Sequence, residues 1–214
     1  IVMSTSGNTG YAKSGDTISL AITASESVTS LACTIDGETA TMGGSGTSWT
    51  ASLQMSGDED AGAATFSCAS HTDAAGNAGT ADTTANSGSV TIDFTAPTAS
   101  AAVLAIAGSG NGNNGDSMTL TITPSETIGT PTCVFKSGGA AMANTVSYST
   151  DGADHICTIA VADADTDGAV SFTLDFSDSA GNAATQVVSA SAGAVTIDNT
   201  HPTLTSVSLT SSNG

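Results

Sequence analysis

Ile18, Leu20 and Ile22 alternate with Thr17, Ser19, Ala21 and Thr23, and Met118, Leu120 and Ile122 alternate with their neighbours in the same way. A period of two marks a strand with one face against a core. Apolar stretches at 31–35, 49–55, 64–70 and 90–93, then 133–135, 156–161, 170–176 and 195–198, predict further short strands. Clusters of Gly, Asn, Asp and Ser separate them and supply turns rather than helix starts. No segment carries a convincing 3.6-residue period, so the chain reads as all-β.

The pattern also repeats. Ser14-Gly15-Asp16-Thr17-Ile18-Ser19-Leu20 returns 100 residues later as Asn114-Gly115-Asp116-Ser117-Met118-Thr119-Leu120, and Cys33 and Cys133 share that offset. Asp73-Ala74-Ala75-Gly76-Asn77 returns as Asp178-Ser179-Ala180-Gly181-Asn182, and Val90-Thr91-Ile92-Asp93 as Val195-Thr196-Ile197-Asp198, both 105 residues on. The second copy therefore carries about five extra residues in its middle. Residues 204–210 resemble the stretch after Pro97, which predicts the first strand of a third copy and a chain cut from a longer tandem array. The repeats divide the chain into 1–97, 98–202 and 203–214. About seven short strands per copy of roughly one hundred residues predicts two tandem immunoglobulin-like β-sandwich domains.

Composition narrows the function. The chain has 214 residues, 20 acids against two lysines and no arginine, and a formal charge of −18. Two lysines cannot neutralise a phosphate backbone, which excludes nucleic acid as a partner. No apolar run reaches the roughly 18 residues of a membrane span, so no membrane insertion is expected. Gly110-x-Gly112-x-x-Gly115 is followed by a strand pattern rather than a helix, and reads as a loop rather than a dinucleotide site. No Gly-x-Ser-x-Gly elbow or metal-spaced histidine set is present, and no enzyme is expected.

Each copy holds two cysteines, Cys33 and Cys68, then Cys133 and Cys157. An even count in a chain read as a surface protein predicts one bridge per copy, against the alternative of four reduced buried thiols. The equivalent Cys33 and Cys133 fall on the third strand (C) of their sandwiches. Their partners fall on different strands, F for Cys68 and E for Cys157. Loop entropy sets each bridge at roughly 3.5–4 kcal/mol. That is a large term for a core with only 4% aromatic residues.

The repeated Asp-x-Ala-Gly-Asn at Asp73 and Asp178, the Val-Thr-Ile-Asp-x-Thr-x-Pro-Thr ending in Thr98 and Thr203, and Gly-Asp-x-(Ile/Met)-x-Leu upstream resemble the bacterial-type Ig-like repeats of large extracellular adhesins and other surface repeat proteins. The resemblance covers nearly the whole chain twice over; the paired cysteines depart from the usual cysteine-free repeat. It implies a secreted, cell-surface, non-catalytic stalk or filament whose partners are neighbouring repeats of its own chain, often stiffened by Ca²⁺ between domains. The alternative is a binding module that recognises carbohydrate, ice or a protein through an exposed sheet face. The lone strand predicted at 204–210 also allows self-assembly by strand addition.

Sandwich topology leads to calcium by a separate route. The last strand of one domain ends in Asp93, and the B–C and F–G loops of the next copy carry Glu126 and Asp178, so three carboxylates are expected to converge. Unpaired, they repel; with an oxygen-seeking Ca²⁺ they form a site. Glu26 and Asp73 are the same half-site of the first copy, and Asp198 is the opposite half. A second candidate is Asp163-Ala164-Asp165-Thr166-Asp167-Gly168, which matches the first half of an EF-hand loop but has Leu174 where the bidentate Glu belongs.

Overall fold

The alternation seen in the sequence becomes strands whose apolar side chains point inward. The structure is a computed structural model in which residues 1–69, 71–108 and 110–211 are described; Ser70, the last residue of the 64–70 stretch, and 212–214 lie outside them. None of the described residues is helical, and no helix is long and apolar enough to cross a membrane. Two compact units form. The first comprises Ile1–Thr98, Glu126–Gly129 and Phe176–Thr185, and the second Ala99–Ser125, Thr130–Asp175 and Gln186–Gly214. Two loops of the second sequence repeat thus belong to the first unit.

The first unit runs β1 (Val2–Thr5), β2 (Tyr11–Ala12), β3 (Thr17–Ser30), β4 (Cys33–Ile35), β5 (Glu38–Thr39), β6 (Thr41–Gln54), β7 (Gly62–Ala63), β8 (Phe66–Cys68), β9 (Thr72–Asp73) and β10 (Thr91–Ile92). One sheet is ordered β1-β3-β6, with β9 on β3; facing it are β5-β4-β8 and β2-β10-β7. Between them lie Ile18, Leu20, Ile35, Met55 and Ile92, each at most 1% exposed. The second unit runs β11 (Ala99–Ile106), β12 (Asn111–Gly112), β13 (Ser117–Pro124), β14 (Thr132–Ser137), β15 (Ala140–Ala141), β16 (Ser147–Asp151), β17 (Asp154–Ala160), β18 (Gly168–Asp175) and β19 (Thr196–Ile197). Its sheets are β11-β13-β17-β16 and β12-β19-β18-β14-β15, the two walls of an immunoglobulin-like sandwich.

The extra residues of the second copy form β16. Leu20 faces Ala51 on β6, whereas its equivalent Leu120 faces Cys157 on β17, so the added residues fall between Cys133 and Cys157. There β16 pairs β17 as a hairpin. The same registers explain why the bridges differ. Cys33 faces Cys68 on the neighbouring strand of its own sheet, with Cα atoms 4.0 Å apart, and the two are bonded. Cys133 instead bonds Cys157 across the sandwich, with Cα atoms 6.4 Å apart. In the second unit the position facing Cys133 is Leu174, and in the first the position equivalent to Cys157 is Ala51. Each copy therefore fills the unused partner position with a fully buried apolar side chain.

Two repeated motifs serve the fold directly. Asp16 and Asp116 accept the backbone N–H of Lys13 and Asn113, closing the turn that starts β3 and β13. Gly88 and Gly193 are equivalent and both have positive φ; a Cβ there would lie 1.9 Å from the Met3 carbonyl oxygen and 1.8 Å from that of Leu104. These glycines let the segment before the last strand run against the first strand, where Met3 and Leu104 donate to Ser87 and Ala192. The predicted strand at 204–210 is not formed: Leu204, Val207 and Leu209 are 83–100% exposed, and a strand needs a partner ladder.

Candidate metal centre

Asp93 follows β10 directly. Its N–H donates to the Ala12 carbonyl, continuing the β2–β10 ladder, and its Oδ1 accepts the Thr95 N–H at 2.9 Å. That small turn orients the carboxylate at the end of the unit. Asp178 lies in the loop after β18. Asn182 closes the loop, donating its N–H to Asp178 Oδ1 at 2.9 Å and its side-chain Nδ2 to Oδ2 at 2.8 Å. Asp178 is 5% exposed. It also forms a bridge with Ile128, which brings the loop beginning at Glu126 alongside.

These placements bring Asp93, Glu126 and Asp178 together. One carboxylate oxygen from each lies within 4.8 Å of the other two. Oxygens bound to one calcium sit 2.3–2.6 Å from it and so stand at most about 5 Å from one another. The triad fits that limit. Burial, then the charges of Asp93 and Asp178, hold the Glu126 carboxyl above its usual range. A cation in the triad would relieve that repulsion.

Asn182 is the residue that reasoning from sequence missed. Its Nδ2 also donates to the Asp93 main-chain oxygen at 2.9 Å, so one amide ties the Asp178 loop to the Asp93 segment. The signal was present, since Asn closes the Asp-x-Ala-Gly-Asn motif in both copies. Asn77 does the same local work for Asp73, donating through its N–H and Nδ2 at 2.8 Å each. The Asn77 side chain, then its backbone, hold the Asp73 carboxyl below the usual range.

The remaining candidates are placed differently. Glu26 and Asp73 line a cleft of about 400 Å³ whose floor includes Ile22, Val28 and Leu31. Asp198 is exposed and repeats the Asp93 turn, with Thr200 N–H donating to its Oδ1 at 3.0 Å. Asp163, Asp165 and Asp167 do not converge: among the described residues only the Asp93 triad forms such a group. The half EF-hand spacing thus does not bring these three carboxylates together. Asp165 is buried and its two oxygens accept the N–H groups of Ala143 and Ala162, both at 2.8 Å. Asp167 accepts Asn199 N–H and Thr200 Oγ1. A calcium loop must turn its oxygens toward a common centre; here hydrogen bonds already engage those of Asp165 and Asp167. The Asn199 N–H, then Thr200, hold Asp167 below the usual carboxylate range.

No protein-family model matches the chain, and no curated protein does. Solved structures do. A titin I-band fragment, I67–I69, matches at 10% identity over 92% of this chain, with a TM-score of 0.44; the chain spans 64% of that fragment's length. A marsupial T cell receptor matches at 11% identity over 94% of this chain and 74% of its own, with a TM-score of 0.49. The complex of titin M10 with an obscurin-like 1 Ig domain matches at 17% identity over 51% of this chain and 98% of its own, with a TM-score of 0.29.

Proposed function

We propose that the chain is a non-catalytic structural stretch of an extracellular repeat array, an adhesin stalk or surface filament, that binds one Ca²⁺ through Asp93, Glu126 and Asp178. The observation that carries this is the meeting of three carboxylates from three separate segments in a chain with only two lysines. Uncompensated, that arrangement costs free energy; with the ion it ties together segments that belong to successive sequence repeats but fold in one compact unit. Two disulfides and a strongly acidic surface suit an oxidising, calcium-rich exterior. Extracellular calcium modules bind with dissociation constants of about 10⁻⁴–10⁻³ M. Titration calorimetry with CaCl₂ should give one ion per chain in that range, abolished by Asp93→Asn; wild-type heat that Asp93→Asn leaves intact would sink the assignment.

A second reading has one observation behind it. Two rows cross the β11-β13-β17-β16 sheet in register on its outer face: Val103, Thr121, Ile156 and Ser149, then Ala105, Thr119, Thr158 and Ser147. They carry no charge and no aromatic ring. Such a face, bearing hydroxyls and methyls, would suit an uncharged polysaccharide. Co-sedimentation with an insoluble neutral glucan, lost on Thr121→Lys, is the expected outcome of this reading; no co-sedimentation removes it.

A further inference from the structure

Three segments supply the carboxylates of the triad, and a fourth runs beside them in the same compact unit. Residues 8–13 lie between β1 and β3 and include β2. β2 is parallel to β10, with Tyr11 facing Thr91 and Ala12 facing Ile92. One step further along that register Lys13 faces Asp93, whose N–H donates to the Ala12 carbonyl at 2.9 Å.

On its other side the same segment meets the Asp178 loop. Asn8 Nδ2 donates to the Ser179 carbonyl at 3.0 Å. The Lys13 stem crosses Gly181, where a Cβ would lie 3.4 Å from Lys13 Cε. The ammonium nitrogen is one C–N bond of about 1.45 Å beyond Cε, which keeps it within about 5 Å of that point. Gly181 belongs to the turn on Asp178, since its N–H donates to the Asp178 carbonyl. Lys13 is half-buried, whereas Lys136, the other lysine of the chain, is exposed.

We propose that Lys13 is the tethered counter-charge of the Asp93, Glu126 and Asp178 site: it offsets part of the carboxylate repulsion when no ion is bound, and it weakens the binding of Ca²⁺. This assignment rests on the calcium reading of the triad. Three carboxylates around one Ca²⁺ leave a single negative charge in excess, which one ammonium balances. The same ammonium repels the entering dication, so affinity is lower than three carboxylates alone would give. The effect belongs to this one site. The counterpart of Lys13, 100 residues on, is Asn113, which faces Asp198 in the matching β12–β19 register and carries no charge.

Lys13→Met and Lys13→Arg separate charge from packing, because both keep a long stem on Gly181. Titration calorimetry of the full chain with CaCl₂ should show Lys13→Met binding about two- to fivefold tighter than wild type at roughly 0.01 M ionic strength, where the Debye length is about 30 Å. The gain should fade by about 1 M, where that length is about 3 Å. Lys13→Arg should bind as wild type does at every salt concentration. In chelator at low salt, Lys13→Met should melt below wild type and Lys13→Arg should not, a readout that needs no ion. Binding by Lys13→Met no tighter than wild type overturns the role of the charge and leaves the calcium reading standing. So does a gain that salt leaves untouched or that Lys13→Arg shares. Absence of any bound ion in wild type overturns both.

Discussion

Replacing Cys133 and Cys157 by alanine is expected to lower the stability of the second unit by about 3.5 kcal/mol, the loop entropy released when a 24-residue separation is uncrosslinked. A unit of roughly one hundred residues loses about 4–8 °C of melting temperature per kcal/mol, so its midpoint should fall by roughly 15–25 °C. Alanine is the right replacement because Cys157 is fully buried and a serine hydroxyl would add a desolvation cost. The effect is large relative to a total of about 5–15 kcal/mol for a typical domain. The reason lies in composition: the interior is built from Ile, Leu, Val, Met and Ala, with Phe135 and Phe172 the aromatic pair of the second unit. Removing Cys33 and Cys68, separated by 35 residues, should cost about 3.8 kcal/mol in the first unit. Differential scanning calorimetry checks both; a fall of less than about 5 °C would mean that packing, not the crosslinks, holds these sandwiches together.

Much of this architecture was legible because strand periodicity and the repeat reinforce each other. Ile18, Leu20 and Ile22 point inward as their alternation requires, and so do Met118, Leu120 and Ile122. β16 was not legible: Ser147–Asp151 is exposed at every position, so no alternation marks it, and only pairing with β17 makes it a strand. β6 reaches back to Thr41 through a Gly- and Ser-rich stretch that reads as loop. The division at residues 97 and 98 follows the repeat, yet 126–129 and 176–185 join the first compact unit, because loops take their neighbours from space and not from sequence.

At the acidic positions, topology proved a better guide than spacing. Asp93, Glu126 and Asp178 lie far apart in the chain, and their meeting follows from which ends of a sandwich the loops occupy. Asp163, Asp165 and Asp167 have ligand-like spacing, yet they do not come together, and hydrogen bonds already engage the oxygens of Asp165 and Asp167. Asn182 shows the limit of reading acids alone, since the motif's amide makes the bond that joins two segments.

Calcium should stabilise the first unit, and Glu126→Gln should reverse the sign of the effect at that position. Without calcium, an acid whose folded-state pKa is raised destabilises the fold when ionised. The penalty is absent below the ordinary carboxylate range and complete above the raised value, so it is present at neutral pH. Glu126→Gln removes it, and in chelator the variant should melt higher than wild type by roughly 1–3 °C, a small figure because the group is only half-buried and partly screened. With calcium at one hundred times its dissociation constant, wild type gains about 2.7 kcal/mol, or roughly 10–20 °C for a unit of this size. The variant, missing a ligand, should gain little. The decisive measurement is the pair of melting curves for wild type and Glu126→Gln at pH 7, in chelator and in saturating CaCl₂. The account predicts that the order of the two proteins inverts between the conditions. Wild type melting at the same temperature with and without calcium would contradict it.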